Sequence, residues 1–220
     1  VFGIAVATVA FPLLSRLSGT RDRYRAALVD ALSLSLAIAL PASLGLVLVS
    51  GDLTTALFGG WGAFSEAGAQ RAAAALVGYG ACVWAYGCNQ VLTRAFYALG
   101  DTRTPAFVSL FTLSANLVLN LSLIWFLREA GLAWATAISA SAQVIVLIWL
   151  LARRHDVHLV RLVLARSWKV LPCLALMAFA VGAVLAAWPG TDDWASRTLR
   201  LVACVFTGGV VYVAAAGALG

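Results

Sequence analysis

The sequence predicts an all-α membrane protein, a polytopic transmembrane bundle of about seven helices. Three observations predict it. Hydrophobic residues make up 63% of the 220-residue chain and charged residues only 11%, against about 45–50% and about 25% in ordinary soluble domains. Apolar runs long enough to cross a bilayer, about 20 residues at about 1.5 Å each, recur along the chain and are too long for barrel strands. The basic residues sit between these runs rather than on one face or in one tail. The net charge of +6 therefore fits loops facing anionic lipid headgroups, with membrane lipids as neighbours, and not nucleic acid.

The runs cover residues 1–14, 31–50, 72–98, 105–127, 131–152, 170–188 and 201–219. The first is cut short: the chain starts at Val1 inside an apolar stretch, without Met or a cleavable leader, as expected of a piece of a longer protein. In the second, Pro41 removes a backbone hydrogen bond and kinks the helix beside Ala42, Ser43 and Gly45, as a static bend or as a hinge. Two connections are longer than the rest. Residues 51–71 hold Leu57, Phe58, Trp61 and Phe64 among glycines, which predicts a short helix at the outer interface. Residues 153–169 alternate basic and apolar side chains, as in an amphipathic helix lying on the cytoplasmic leaflet. That connection divides residues 1–152 from a C-terminal helix pair, residues 170–220.

Orientation follows from Lys and Arg. The first, third and fifth connections with their flanks carry eleven: Arg16, Arg21, Arg23, Arg25, Arg94, Arg103, Arg153, Arg154, Arg161, Arg166 and Lys169. The second, fourth and sixth carry four: Arg71, Arg128, Arg197 and Arg200. The odd connections and the C-terminus are accordingly expected on the cytoplasmic side. Asp52, Glu66, Asp192, Asp193 and the belt residues Trp61, Trp188 and Trp194 are expected outside.

Polar side chains inside spans are costly and mark candidate sites. Asn116 and Asn120, spaced i,i+4, share a helix face, with Asn120 roughly 10 Å deep and Thr136 of the next helix roughly 8 Å deep. Two readings fit them: interhelical hydrogen bonding, or a hard-cation site of amide, hydroxyl and carbonyl oxygens. Asn89, Gln90, Thr93 and Arg94 form a second cluster near the cytoplasmic end of the third run, either a topology anchor or the lining of an anionic substrate's path. Gln143, Ser139 and Ser141 read as packing and hydrogen-bonding residues. Gly208 and Gly209 are small residues that permit close helix packing.

Nothing points to an enzyme or to a bound cofactor. His155 and His158 are the two histidines, no HExxH, GxSxG or Walker-type sequence occurs, and Asp192–Asp193 reads as a solvated loop. Cys82, Cys88, Cys173 and Cys204 lie in apolar runs without CxxC spacing and read as small hydrophobes.

The motif RAFYALGDTRTP at residues 94–105 joins an aromatic helix end, a Gly-Asp turn and a Pro opening the next helix. With FGIAVATVAFPLLSRL at 2–17, LPASLGLVL at 40–48, NLVLNLSL at 116–123 and GLAWATAISA at 131–140, it resembles the MurJ (MviN) lipid II flippase family of the multidrug/oligosaccharidyl-lipid/polysaccharide exporter superfamily. The resemblance spans essentially the whole chain. It implies the eighth to fourteenth of fourteen helices: most of the second lobe of an alternating-access transporter in the bacterial cytoplasmic (inner) membrane, plus the last two helices. The implied cargo is lipid II, the undecaprenyl-pyrophosphate-linked peptidoglycan precursor, moved from the inner to the outer leaflet. The implied partner is the N-terminal lobe of the same chain. The last two helices would form a groove for the lipid tail, with Gly208 and Gly209 as candidate lining residues, and Asn116, Asn120 and Thr136, with the Leu132 carbonyl, would match a sodium site, the ion serving as coupling ion. Two departures matter. Asn120 stands where an Asp can occur, and the carboxylate and headgroup-binding arginines implied for earlier helices precede Val1. A related polysaccharide-unit or multidrug exporter, or a membrane-embedded lipid or glycan enzyme, remain as alternatives.

Overall fold

The apolar runs become helices in the computed structural model, which describes residues 2–58, 66–155, 159–188 and 194–219. These residues form nine α-helices and no strand: α1 (Phe2–Leu17), α2 (Arg21–Leu48), α3 (Ser50–Phe58), α4 (Glu66–Ala98), α5 (Arg103–Leu127), α6 (Glu129–His155), α7 (Leu159–Ser167), α8 (Val170–Ala187) and α9 (Trp194–Leu219). Five of them, α2, α5, α6, α8 and α9, are long and apolar enough to cross a membrane by length and composition. Two of the seven expected spans fall short of that measure. α1 is apolar but only 16 residues long. α4 has 33 residues, but glycines, tyrosines and the Asn89–Gln90 pair dilute its hydropathy. Packed by α1, α2, α3 and α6, α4 meets protein on most sides and needs less apolarity than a helix facing lipid.

The α2 stripe Leu28, Leu32, Ser35, Ala39 and Ser43 repeats every three to four residues and is buried against α4. Small residues let the backbones approach: a Cβ on Gly3 of α1 would lie 2.8 Å from the Gly87 Cα of α4. α5 packs chiefly on α6, α8 and α9 pack on each other, and the C-terminal pair reaches the rest through α2 and α3.

The short helices α3 and α7 occupy the two long connections. α7 is buried on Leu159, Val163 and Ser167, packed against α2, while Val160 and Leu164 stay exposed. Trp61, Phe64, Asp192, Asp193 and His158 lie outside the described residues.

The turn at residues 99–102 shows why its motif has that composition. Gly100 takes φ +77°, Asp101 N–H donates to the Phe96 carbonyl (3.0 Å) and Gly100 N–H to that of Tyr97 (3.0 Å), which closes α4. The Asp101 carboxylate then accepts from the Thr104 N–H (2.9 Å) and hydroxyl (2.6 Å), capping α5, and Pro105 sits in the first turn where no donor is needed.

Side-chain ties sort the connections between the two ends of the bundle. The Tyr24 hydroxyl donates to the Ala95 carbonyl (2.8 Å), and Arg166 pairs with Asp30 (3.0 Å), so the first, third and fifth connections share one end. Lys169 donates to the Leu219 carbonyl (2.8 Å), bringing the end of α9 there too. At the opposite end Arg71 faces Glu129 (3.7 Å), and Arg200 of α9 pairs with Asp52 of α3.

Candidate functional site

Two surfaces of different chemistry stand out. The first is a polar wall on α1, α4, α5 and α6. Along α4, Tyr79, Tyr86, Gln90, Arg94 and Tyr97 recur at helical spacing and form an outward stripe. Tyr86, mid-helix, is 51% exposed. Beside it α5 and α6 are stitched by two side-chain bonds: Gln143 Nε2 donates to Ser109 Oγ (3.0 Å) and Asn116 Nδ2 to Ser139 Oγ (2.8 Å), while within α5 Asn120 Nδ2 donates to Asn116 Oδ1 (3.0 Å). Tyr86, Thr112, Asn116, Thr136, Ser139 and Gln143 line a cleft of about 320 Å³. Polar groups at this depth suit a water-filled or protein-covered face rather than lipid.

Asn116, Asn120 and Thr136 thus come near one another, but Asn116 bonds to Ser139 instead of to Thr136, and Asn120 bonds to Asn116. The Thr136 hydroxyl donates to the Leu132 carbonyl of its own helix (2.9 Å). Asn120 Oδ1 is buried with no hydrogen-bond partner. An orphaned amide oxygen beside amide, hydroxyl and carbonyl oxygens is a donor set for a hard cation, without a carboxylate to add formal charge. No group of three or more His, Cys, Asp or Glu placed to hold a metal occurs among the described residues.

Ser139 and Ser109 are the members that sequence reasoning assigned elsewhere or passed over. The signal was spacing: Ser139 lies one turn beyond Thr136, and Ser109 two turns before Asn116.

The second polar cluster divides. Asn89 is 8% exposed and its Nδ2 donates to the Ala140 carbonyl of α6 (3.1 Å), so it is a buried tie between helices and does not line a path. Gln90, rotated about 100° by one residue, is exposed on the outward stripe. Arg94 does not snorkel away from the bundle: its Nη1 donates to Thr8 Oγ1 (2.5 Å) and to the Ile4 carbonyl (3.2 Å), holding α1.

The second surface is an apolar groove of about 530 Å³ between α2 and the C-terminal pair, walled by Pro41, Gly45, Met177, Val181, Gly209 and Tyr212 among others. It separates the two adjacent glycines. A Cβ on Gly208 would meet Val181 Cγ2 at 3.0 Å, whereas one on Gly209 would meet nothing within 4 Å. Gly208 therefore serves helix packing and Gly209 lines the groove. At the groove's outer end the Arg200 guanidinium makes a two-pronged pair with the Asp52 carboxylate, both largely buried, and donates to the Trp188 carbonyl (2.9 Å). Trp194 Nε1 donates to the Ala56 carbonyl (3.0 Å). Wall and groove meet at α2: Ile38 and Ala42 line the groove and also a cleft shared with Tyr86 and Gln90.

Comparison with known proteins gives a consistent set. The family model described as lipid II flippase MurJ matches residues 1–202. Proteins named probable lipid II flippase MurJ are similar to this chain: that of Thermotoga maritima is 32% identical over 76% of the chain and 34% of its own length. That of Vibrio cholerae is 29% identical over 94% and 39%. A solved structure titled lipid II flippase MurJ, inward closed conformation, superposes with a TM-score of 0.75 at 22% identity, covering 98% of this chain and 42% of that one, and so shares the fold. The chain spans about two fifths of the length of the curated relatives it matches.

Proposed function

The chain belongs to the lipid II flippase MurJ family, and from that membership we propose that it forms the second lobe and C-terminal helix pair of a flippase moving lipid II from the inner to the outer leaflet. It is a multi-pass membrane protein, with its arginine-rich end, by the positive-inside rule, facing the cytoplasm. The observation that carries the reading is the junction at Ile38 and Ala42, where a polar wall and an apolar groove adjoin on one helix.

Lipid II has a polar head and a long polyprenyl tail. The wall of Tyr86, Gln90 and Thr112 offers hydroxyls and an amide to the head, and the groove offers van der Waals contact to a tail that is already in hydrocarbon, so it selects by shape and not by removing apolar surface from water. Transport then needs no bond made or broken. The two lobes exchange access between the two faces of the membrane, the wall staying hydrated while the tail remains in an apolar path. The headgroup's pyrophosphate would be met by residues of the other lobe.

Sodium would be held by Asn116, Asn120, Thr136 and the Leu132 carbonyl. The unpartnered Asn120 oxygen supports this reading, and the ion would supply a positive charge that biases the lobe toward one conformation.

Depletion of the host's own flippase, with rescue by the full-length protein scored as lipid II exposed at the outer leaflet, tests the assignment. Rescue is expected, with loss of rescue when Gly209 is made bulky. No exposure of lipid II despite a folded, inserted protein contradicts it, and export of a different lipid-linked glycan instead would assign the chain a different cargo.

A further inference from the structure

A proline in a membrane helix leaves the carbonyl four residues earlier without its N–H donor. Pro41 does this to Ala37. In a span, such a carbonyl must find another partner, because lipid offers none. Here it finds one 175 residues away: the Tyr212 hydroxyl of α9 donates to the Ala37 carbonyl at 2.5 Å.

The position of that bond matters as much as its existence. Ala37 and Tyr212 line the apolar groove, and they also line a second cleft, nearer the arginine-rich end, that holds Asp30, Ser33, Arg166, Ser167 and Lys169. They form the waist between the two. Below it the lining is the more polar of the two, with Asp30, Arg166 and Lys169 and with buried Ser33 and Ser167 hydroxyls that have no partner. Above it the lining is hydrocarbon. α9 touches α2 sparsely elsewhere, so this bond is the described side-chain link that ties the middle of α9 to α2.

We propose that Tyr212 is the latch of a gated groove: bonded to the carbonyl that Pro41 frees, its hydroxyl holds the C-terminal helix pair against α2 and closes the waist between a polar cleft and an apolar groove. Opening the waist joins the two into one path with a polar mouth and an apolar interior, the shape taken by a lipid with its head near the membrane surface. Pro41 thereby sets the strength of the latch. With a proline at that position the open state strands a carbonyl, whereas an N–H there would satisfy it in both states and weaken the preference for closure. Tyr212 is in this sense a positioning residue. The use of the path by a lipid rests on the flippase reading; the latch itself does not.

The test is a mutant cycle in the full-length protein, in membranes, with nitroxides on cysteines at Arg23 of α2 and Val210 of α9 and the distance between them measured by pulsed electron resonance. The four cysteines of this chain are buried, so labelling is directed to the introduced sites. Tyr212→Phe keeps the ring and removes the hydroxyl. It is expected to raise the longer-distance population roughly fivefold to tenfold with Pro41 present, and by less than about twofold in the Pro41→Ala background. Pro41→Ala alone is expected to raise it as well, and it carries the test should Tyr212→Phe not accumulate. Equal effects of Tyr212→Phe in both backgrounds, or unchanged distances in Tyr212→Phe or in Pro41→Ala, overturn the latch. No cargo is needed for this measurement, so its failure and a failure of lipid II rescue are separate results.

Discussion

The polar wall and the apolar groove are built from the same kind of helix, yet they spend their polar side chains differently. Along the wall, α5 and α6 are joined within the span by bonds between side chains, Gln143 to Ser109 and Asn116 to Ser139, and Asn120 bonds to Asn116 within α5. Each such bond in a membrane protein contributes modestly, about 0.6 kcal/mol on average, so the seam is adjustable and one oxygen in it stays unpaired. Around the groove, polar groups are confined to two clasps, Arg200 with Asp52 at one end and Tyr212 with the Ala37 carbonyl at the waist, below which the second cleft holds Asp30, Ser33, Arg166, Ser167 and Lys169. Between clasps the lining is hydrocarbon and small residues. The contrast separates a face whose polar groups can exchange partners with water from one that keeps an apolar lining between fixed ties.

The largest effect that would sharpen this contrast is at the outer clasp. Asp52→Asn or Arg200→Met leaves a largely buried charge without its partner, which typically costs about 3–5 kcal/mol. Thermal unfolding of the purified full-length protein should show this loss, and replacing both residues together by apolar ones should recover much of it. A drop no larger than that of an exposed pair such as Arg25–Asp22 would show the clasp to be incidental.

A smaller effect separates neighbours. Gly208→Leu should destabilise the α8–α9 pair by about 1–3 kcal/mol through overpacking on Val181, whereas Gly209→Leu should leave the melting temperature nearly unchanged while filling the groove. Equal melting temperatures for the two variants would erase the distinction between packing face and groove face.

The smallest effect is on the wall. Asn116→Ala removes two of its hydrogen bonds, so stability should fall by about 1 kcal/mol. The stabilisation that added sodium gives the full-length protein should weaken, as it should in Thr136→Ala. A sodium response undiminished in both variants removes the ion from the account.

How legible this was in the sequence depended on the range of the interaction. Spans, the two short helices in the long connections and the Gly100–Asp101 turn follow from local composition, because length, periodicity and capping act within a few residues. The sorting of arginines to one end was readable for the same reason, since it is a property of each connection. Partners across the bundle were not. Nothing near Pro41 announces Tyr212, and nothing near Asp52 announces Arg200, 148 residues on. Arg94 lies near the cytoplasmic end of its run, where a topology anchor is expected, and its partners on α1, the Ile4 carbonyl and the Thr8 hydroxyl, are 90 and 86 residues away. The asparagine pair was legible as a pair because i,i+4 spacing fixes a shared face, while its bond to Ser139 depended on how α6 rotates against α5. Gly208 and Gly209 are identical in composition and differ only in the turn between them.

The division of labour between the two surfaces is tested most directly by photo-crosslinking. Lipid II analogues carrying the reactive group either at the far end of the polyprenyl tail or on the sugar headgroup would be bound to the full-length protein, and the modified residues mapped. The tail probe is expected to mark the groove, at Met177, Val205 and Gly209, and the head probe the wall, at Tyr86, Gln90 and Thr112. A tail probe that marks the wall, or two probes giving one pattern, would contradict the assignment of separate surfaces to head and tail.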